Sequence, residues 1–203
     1  MSDAGGQMSG TARKPGVARS TSAAYIGSMR QTPSTDQRAL RTRQSLLDAF
    51  VGLILGRRYE TIRVTDLVAA AGVGRATFYE HFRSKDDILL SAMEPVLLAL
   101  ATAASGRAAR SYVRSTISHL WERRSLGRTI LNSATGPIVQ RRLAAMILTH
   151  IARASPADIA PSIRATGIAA AQLSMLRSWL IGEASCTAEE MTDRMIDCAK
   201  LIA

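Results

Sequence analysis

From Gln37 onward, apolar residues return every three or four positions, the period of a helix that lays one face on a core. Leu46, Leu47, Phe50, Leu53 and Ile54 share one stripe, so a first helix covers about 37–55, with Gly56 in the place of a C-terminal cap. Val64, Leu67, Val68 and Ala71 fall on a second face that stops at Gly72, and a short third helix covers about 75–82. Ser84 opens a fourth, with Asp86 and Asp87 in the first turn where carboxylates favour the helix dipole; Pro95 predicts a bend or restart within it. Two further stripes follow, Val113, Ile117, Leu120 and Trp121, then Val139, Leu143, Met146, Ile147 and Ile151. Pro161 suits the first position of a helix reaching about Gly182, and Thr187 with Glu190 forms a capping box. That box starts a last helix with Met191, Met195, Cys198 and Ile202 on one face. No stretch alternates with the period of a strand, and no repeat of fixed length is visible. The pattern predicts an all-α chain of about nine helices.

Composition adds the ends and the partners. Residues 1–36 are rich in Gly, Ser, Thr, Ala and Pro without apolar period, and read as a flexible arm. The net charge is +10, and a basic chain is drawn to polyanions, of which nucleic acid is the commonest. Cys186 and Cys198 lack the spacing of a zinc site and read as free thiols; no metal and no cofactor is expected. No uninterrupted apolar run has the length of a membrane span, and the N-terminus lacks the apolar segment of a signal peptide. The expectation is a soluble cytoplasmic protein with no membrane partner.

The chemistry concentrates in Thr61 to Lys85, TIRVTDLVAAAGVGRATFYEHFRSK. Two short helices joined by a tight turn must cross steeply, and Gly72 can take the left-handed backbone that the turn requires, with Val73 filling the angle. Leu67, Val68, Phe78 and Phe82 then face the core against Phe50. The outer side of the second helix carries Arg75, Ala76, Thr77, Tyr79 and His81. Arg75 has the fork for guanine O6 and N7, and Ala76 with the Thr77 methyl suits a thymine methyl. Tyr79, His81 and Lys85 suit phosphate oxygens, as do Thr42 and Arg43 at the start of the first helix.

In this stretch the sequence resembles the tetracycline-repressor (TetR) family of transcriptional regulators. The likeness runs from about Gln37 to Leu97. It includes Leu47 and Phe50, Gly56 and Tyr59, Val64, Asp66 and Leu67, then Ala71-Gly72-Val73 leading into Arg75, Thr77-Phe78-Tyr79, His81-Phe82 and Lys85. It implies a helix-turn-helix DNA-binding domain over 37–97 and a helical ligand-binding and dimerisation domain over 98–203. It also implies a homodimer on double-stranded operator DNA, released from a palindromic site by a small-molecule inducer, and no enzymatic activity. Thr65 and Gly74, at the starts of the motif's two helices, join the DNA-facing set. The chain departs from the family where Ser or Thr usually caps those helices, since Arg63 and Gly74 stand there. Arg63 cannot accept a backbone N–H, so either Thr61 shifts the helix start or Arg63 serves a DNA phosphate.

For the ligand, the resemblance places a pocket among Trp121, Met146, His150, Gln172 and Met175, where Met and Trp give adaptable walls and Gln or His the polar points. For the dimer it points to the last two long helices. There Ala169, Ala170, Ala171 and Ser174 allow close approach, and Leu173, Leu176, Trp179 and Leu180 supply apolar area. His119 and His150 read as core histidines rather than metal ligands. The arginines between Arg107 and Arg142, with Glu122 as the one acid among them, read as a solvated face or as an entrance for an anion through Arg110, Arg114 or Arg128. A helical enzyme and a purely architectural DNA-binding protein remain as alternatives. No spacing unites a catalytic set, and a C-terminal part this large exceeds what DNA binding alone requires.

Overall fold

The helical period is realised in nine α-helices among the described residues of the computed structural model, which are 35–106, 108–151, 160–198 and 200. They are α1 (Thr35–Gly56), α2 (Val64–Ala71), α3 (Arg75–His81), α4 (Lys85–Ala104) and α5 (Arg110–Glu122), with a 3₁₀ turn at Tyr59–Thr61. α6 (Arg124–Leu131), α7 (Gly136–Ile151), α8 (Pro161–Ile181) and α9 (Ala188–Asp197) complete the fold. The arm expected before residue 35, and Ile202, lie outside the described residues.

One apolar core runs from Leu46, Phe50 and Ile54 of α1 through Leu89, Met93 and Leu97 of α4 to Ile168 and Leu176 of α8. α4 is therefore common to both halves: it packs on α1 and also on α5, α7 and α9. Half of an apolar α4 window, long enough to cross a membrane, is buried within the chain, as in the central helix of a globular core. α8 lies along α7, and the Thr187–Glu190 capping box starts α9 as the spacing predicts, with Glu190 N–H donating to Thr187 Oγ1 at 3.1 Å.

Three expectations change. α4 runs through Pro95 without a restart. The proline ring stands on the exposed side, where water can take the carbonyl left without a donor, while buried Met93 and Leu97 hold the helix on either side. α1 ends at Gly56, but not by a left-handed cap: positive φ occurs at Gly72, Gly106 and Gly182 among the described glycines. The apolar residues assigned to a dimer contact are taken up inside one chain. Ala169, Leu173, Leu176, Trp179 and Leu180 are all buried there, and the outer side of α8 shows Ile163, Thr166, Ser174 and Arg177 instead. Periodicity locates an apolar face but does not say whether a neighbouring helix or a second copy covers it.

Candidate nucleic-acid interface and ligand cavity

The motif is built from its backbone outward. Arg63 precedes α2 in extended conformation, and its guanidinium has no lone pair to offer the helix. The return half of the capping box is made alone, with Arg63 N–H donating to Asp66 Oδ2 at 2.8 Å. Thr61 does not shift the start, because its hydroxyl donates to Arg58 O at 2.8 Å. Gly72 adopts φ 66°, and Val73 N–H closes the turn on Val68 O at 3.0 Å. α3 then leaves Gly74 with no side-chain cap, anchored by Phe78 and Phe82, whose ring centroids lie 5.8 Å apart in the core.

With those two rings buried, α3 turns a definite set outward. Arg75, Ala76 and Tyr79 are exposed, the last at 47%, and Thr77 and His81 are half-buried. The Arg75 guanidinium stands 5.8 Å from the Tyr79 ring centre, so cation and ring share one patch. Glu80, also exposed, is the acid of this helix and would repel a phosphate on its side. Arg63 and Thr65 are exposed at the start of α2, and Thr42 is half-buried on α1. Arg38 and Arg41, exposed on the first turns of α1, were not singled out from the sequence.

Two cations expected on phosphates point inward. Arg43 donates from Nη1 to His81 O at 3.2 Å and from Nη2 to Ser91 Oγ at 3.0 Å, with its guanidinium carbon 4.5 Å over the Phe82 ring. Lys85 Nζ donates to Tyr59 O at 2.8 Å and lies 4.1 Å over the Tyr59 ring. The Tyr59 hydroxyl donates to Asp86, and burial first, then that carboxylate, pushes the phenol well above its usual range. These contacts tie α1, the 3₁₀ turn, the end of α3 and the start of α4 together. Sequence reasoning sees Lys and Arg near a motif, and nothing in spacing tells an inward cation from an outward one.

The five residues expected around a ligand are not brought together. Gln172 is fully buried and donates Nε2 to Leu100 O at 3.1 Å and Met195 O at 3.2 Å, joining α8 to α4 and α9, while its Oε1 has no protein partner. Trp121, 37% exposed rather than on the core stripe, stacks on Trp179 at 4.5 Å between ring centres. Met146 and Met175 are half-buried against the core. His150 is exposed and borders a separate cleft with Thr102, Ala109 and Tyr112. Neither His119 nor His150 is a core residue, and His119 Nδ1 lies 3.3 Å from Glu122. Both cysteines are free, and among the described residues no His, Cys, Asp and Glu are grouped to hold a metal ion.

A cavity of about 360 Å³ instead opens between α4, α5 and α6. α4 contributes Ala92, Met93, Pro95 and Val96; α5 contributes Tyr112, Ser115, Thr116, His119 and Leu120. Arg123 and the α6 residues Leu126, Gly127 and Ile130 close it. The helices approach closely at Gly127, where a Cβ would meet Leu180 Cδ1 at 3.0 Å and Leu120 Cδ1 at 3.1 Å. The signal in the sequence was the polar row 112, 116, 119 and 123 beside the apolar stripe of α5, at helical spacing. α6 also reaches the motif's side of the fold. Just beyond it, Ala134 N–H donates to Glu60 Oε1 at 3.2 Å. The backbone N–H groups of Glu60 itself and of Ala134, with Arg58 and Lys85 nearby, hold that carboxyl below its ordinary value.

A helix-turn-helix with an outward second helix, mounted on a larger helical body that holds a cavity, is the architecture of helix-turn-helix transcriptional regulators. Residues 46–92 match the family model for bacterial regulatory proteins of the tetR family. Over 53 residues it is 45% identical to the uncharacterized HTH-type transcriptional regulator YwcC of Bacillus subtilis (strain 168), covering 26% of this chain and 24% of that protein. Over 68 residues it is 38% identical to the HTH-type transcriptional regulator EthR of Mycolicibacterium smegmatis (strain ATCC 700084 / mc(2)155), covering 32% and 28%. The matches thus span about a quarter of these relatives' length. A TetR transcriptional regulator from Streptococcus agalactiae 2603V has the same fold, with a TM-score of 0.54 at 20% identity over 81% of this chain and 96% of that one. Each of these similar proteins is named as a transcriptional regulator.

Proposed function

We propose that this chain is a sequence-specific DNA-binding regulator, a repressor that leaves its operator when a small molecule fills the α4–α5–α6 cavity. The observation that carries the reading is the outward face of α3, where Arg75, Ala76 and Tyr79 are exposed while Phe78 and Phe82 fix the helix from behind. Arg75 reads a base edge; Ala76 and Thr77 contact thymine methyls; Tyr79 and His81, with Arg63, Thr65, Gly74 and Thr42, position the backbone. The working unit is a homodimer on a palindromic operator, since two copies of one recognition helix read two equivalent half-sites. It acts in the cytoplasm, at the nucleoid, without a cofactor or catalysis.

The ligand acts by binding the DNA-free conformation more tightly than the DNA-bound one, and only that difference shifts the equilibrium. α6 suits the task, because it lines the cavity and leads into the Ala134–Glu60 contact beside the motif. The test is selection of bound duplexes from a random pool by the full chain, followed by footprinting of the enriched sequence. A protected inverted repeat, two half-sites about one helical turn apart, is expected. No enrichment over the starting pool would overturn the DNA reading.

A further inference from the structure

The cavity has polar groups along one wall only. Tyr112, Thr116 and His119 lie on successive turns of α5, and Arg123 ends the row; Met93, Val96, Leu126 and Ile130 supply apolar surface. No lining residue is acidic. Glu122 does not line the cavity, and its carboxylate faces His119 Nδ1 at 3.3 Å.

The cations nearby differ in what holds them. Arg110 is clamped to α9, with Nε 2.9 Å from Asp193 Oδ1 and Nη1 3.0 Å from Glu189 Oε1, so it is no entrance for an anion. Arg124 lies 5.3 Å over the Trp121 ring. Arg123 has no carboxylate within 4.0 Å among the described residues, and it is the arginine that lines the cavity. α5 ends and α6 begins at Arg123. Opposite helix-dipole ends meet there and offset one another, which leaves the guanidinium as the net charge of the wall.

We propose that the cavity binds a small amphipathic monocarboxylate, its carboxylate on the Arg123 fork and its apolar body against Met93, Val96, Leu126 and Ile130. This rests on the reading of the cavity as the effector site. The planar guanidinium matches a carboxylate with two parallel N–H donors. One cation matches one charge: a phosphate monoester would bring nearly two and leave one uncompensated. A cationic amphiphile would find no counter-charge. The volume sits at the small end of the usual range of about 300–1,000 Å³, which favours a medium-length chain or a single substituted ring.

The experiment is calorimetric titration of the full chain with octanoate, decanoate and butylbenzoate, each paired with its primary alcohol, and with octyl phosphate. The acids should bind about 10-fold tighter than their alcohols or better, the range for hydrogen bonds to a charged group. Arg123→Gln should erase that preference and leave alcohol binding within about 3-fold, Arg123→Lys should restore part of it, and Ala92→Phe, which fills the cavity, should abolish binding of both. Acids and alcohols binding equally, with Ala92→Phe still blocking both, would overturn the carboxylate assignment and keep the cavity. Tighter binding of octyl phosphate than of octanoate would also overturn it. Binding of no amphiphile, in wild type or variant, would overturn the assignment and the effector site together.

Discussion

Arg43 decides between two readings of the basic residues around the helix-turn-helix. The sequence places it on a DNA phosphate; the structure turns it inward, to His81 O, Ser91 Oγ and the Phe82 ring. Hydrogen bonds from a charged donor contribute about 1.5–3 kcal/mol each, and a cation over a ring about 0.5–1 kcal/mol. Arg43 is half-buried, so the low ends apply. Truncation also leaves His81 O and Ser91 Oγ within reach of water rather than sealed without a partner. Arg43→Ala should therefore cost about 3 kcal/mol, which for a chain of this size lowers the melting temperature by about 6–12 °C. Arg43→Lys, which keeps the charge but cannot reach both acceptors, should recover less than half of the loss. Calorimetric melting of the three proteins measures this, alongside DNA affinity across a salt series well below the transition. The internal role predicts an unchanged salt slope at that temperature. An unchanged melting temperature with a slope lower by about one unit per lost contact would refute it and return Arg43 to the phosphates.

Other outcomes follow from the same geometry. Arg75→Ala, on an exposed side chain, should leave the melting temperature unchanged, cost about 1–3 kcal/mol on the selected duplex, and relax preference at one base pair per half-site in a repeated selection. Gly127→Ala should destabilise by about 1–2 kcal/mol, because the new Cβ crowds Leu180 and Leu120 and flexible leucine ends can yield only part of the overlap; denaturant melts read it. The two N–H donors of Arg110 hold the Asp193 carboxyl below its ordinary value, so their stabilising effect is complete above about pH 4 and is lost as pH falls through the depressed value. Melting temperature against pH should thus fall less steeply in acid for Asp193→Asn than for the wild type, and parallel curves would remove the clamp from the account.

Much of the fold was legible because burial imposes a period. Leu67, Phe78, Phe82, Met191 and Met195 sit inside where their spacing puts them, and local chemistry marked the turn at Gly72 and the cap at Thr187. What failed depends on what lies opposite a face. Leu176 and Trp179 have the pattern of a surface that meets a partner, but they are buried within one chain, where α6 and α7 pack on α8. The aim of long side chains failed for the same reason. Arg43, Arg75 and Lys85 are alike in sequence context, but two of them meet the carbonyl oxygens of His81 and Tyr59 that only the folded chain brings near. The cavity escaped notice because its walls come from three helices, and no single stripe carries both the polar row of α5 and the apolar side of α4.

The inward cations also bear on how an effector would reach the DNA. Lys85 and Asp86, at the start of α4, hold Tyr59 through its carbonyl and its hydroxyl, and Arg43 joins Ser91 of α4 to the last carbonyl of α3. The first two turns of α4 are thus held by three hydrogen bonds, at Lys85, Asp86 and Ser91, and the cavity begins on the next residue, Ala92. In the proposed switch, a ligand that displaces α4 at Ala92, Met93 and Val96 cannot bend the helix away from α3 without breaking those bonds first. Movement of the first half of α4 as one piece with α3 costs less, so a shift at the cavity is delivered to the recognition helix as a change of position rather than absorbed between them. The useful property of Arg43 and Lys85 in this scheme is stiffness. Arg43→Ala should then weaken not the affinity for the ligand but the factor by which the ligand lowers DNA affinity, the coupling free energy between the two sites. Titration of the DNA complex with a bound amphiphile separates the two. An unchanged ratio of DNA affinities with and without ligand in Arg43→Ala would show that the signal travels by another route, with the Ala134–Glu60 contact as the next to cut.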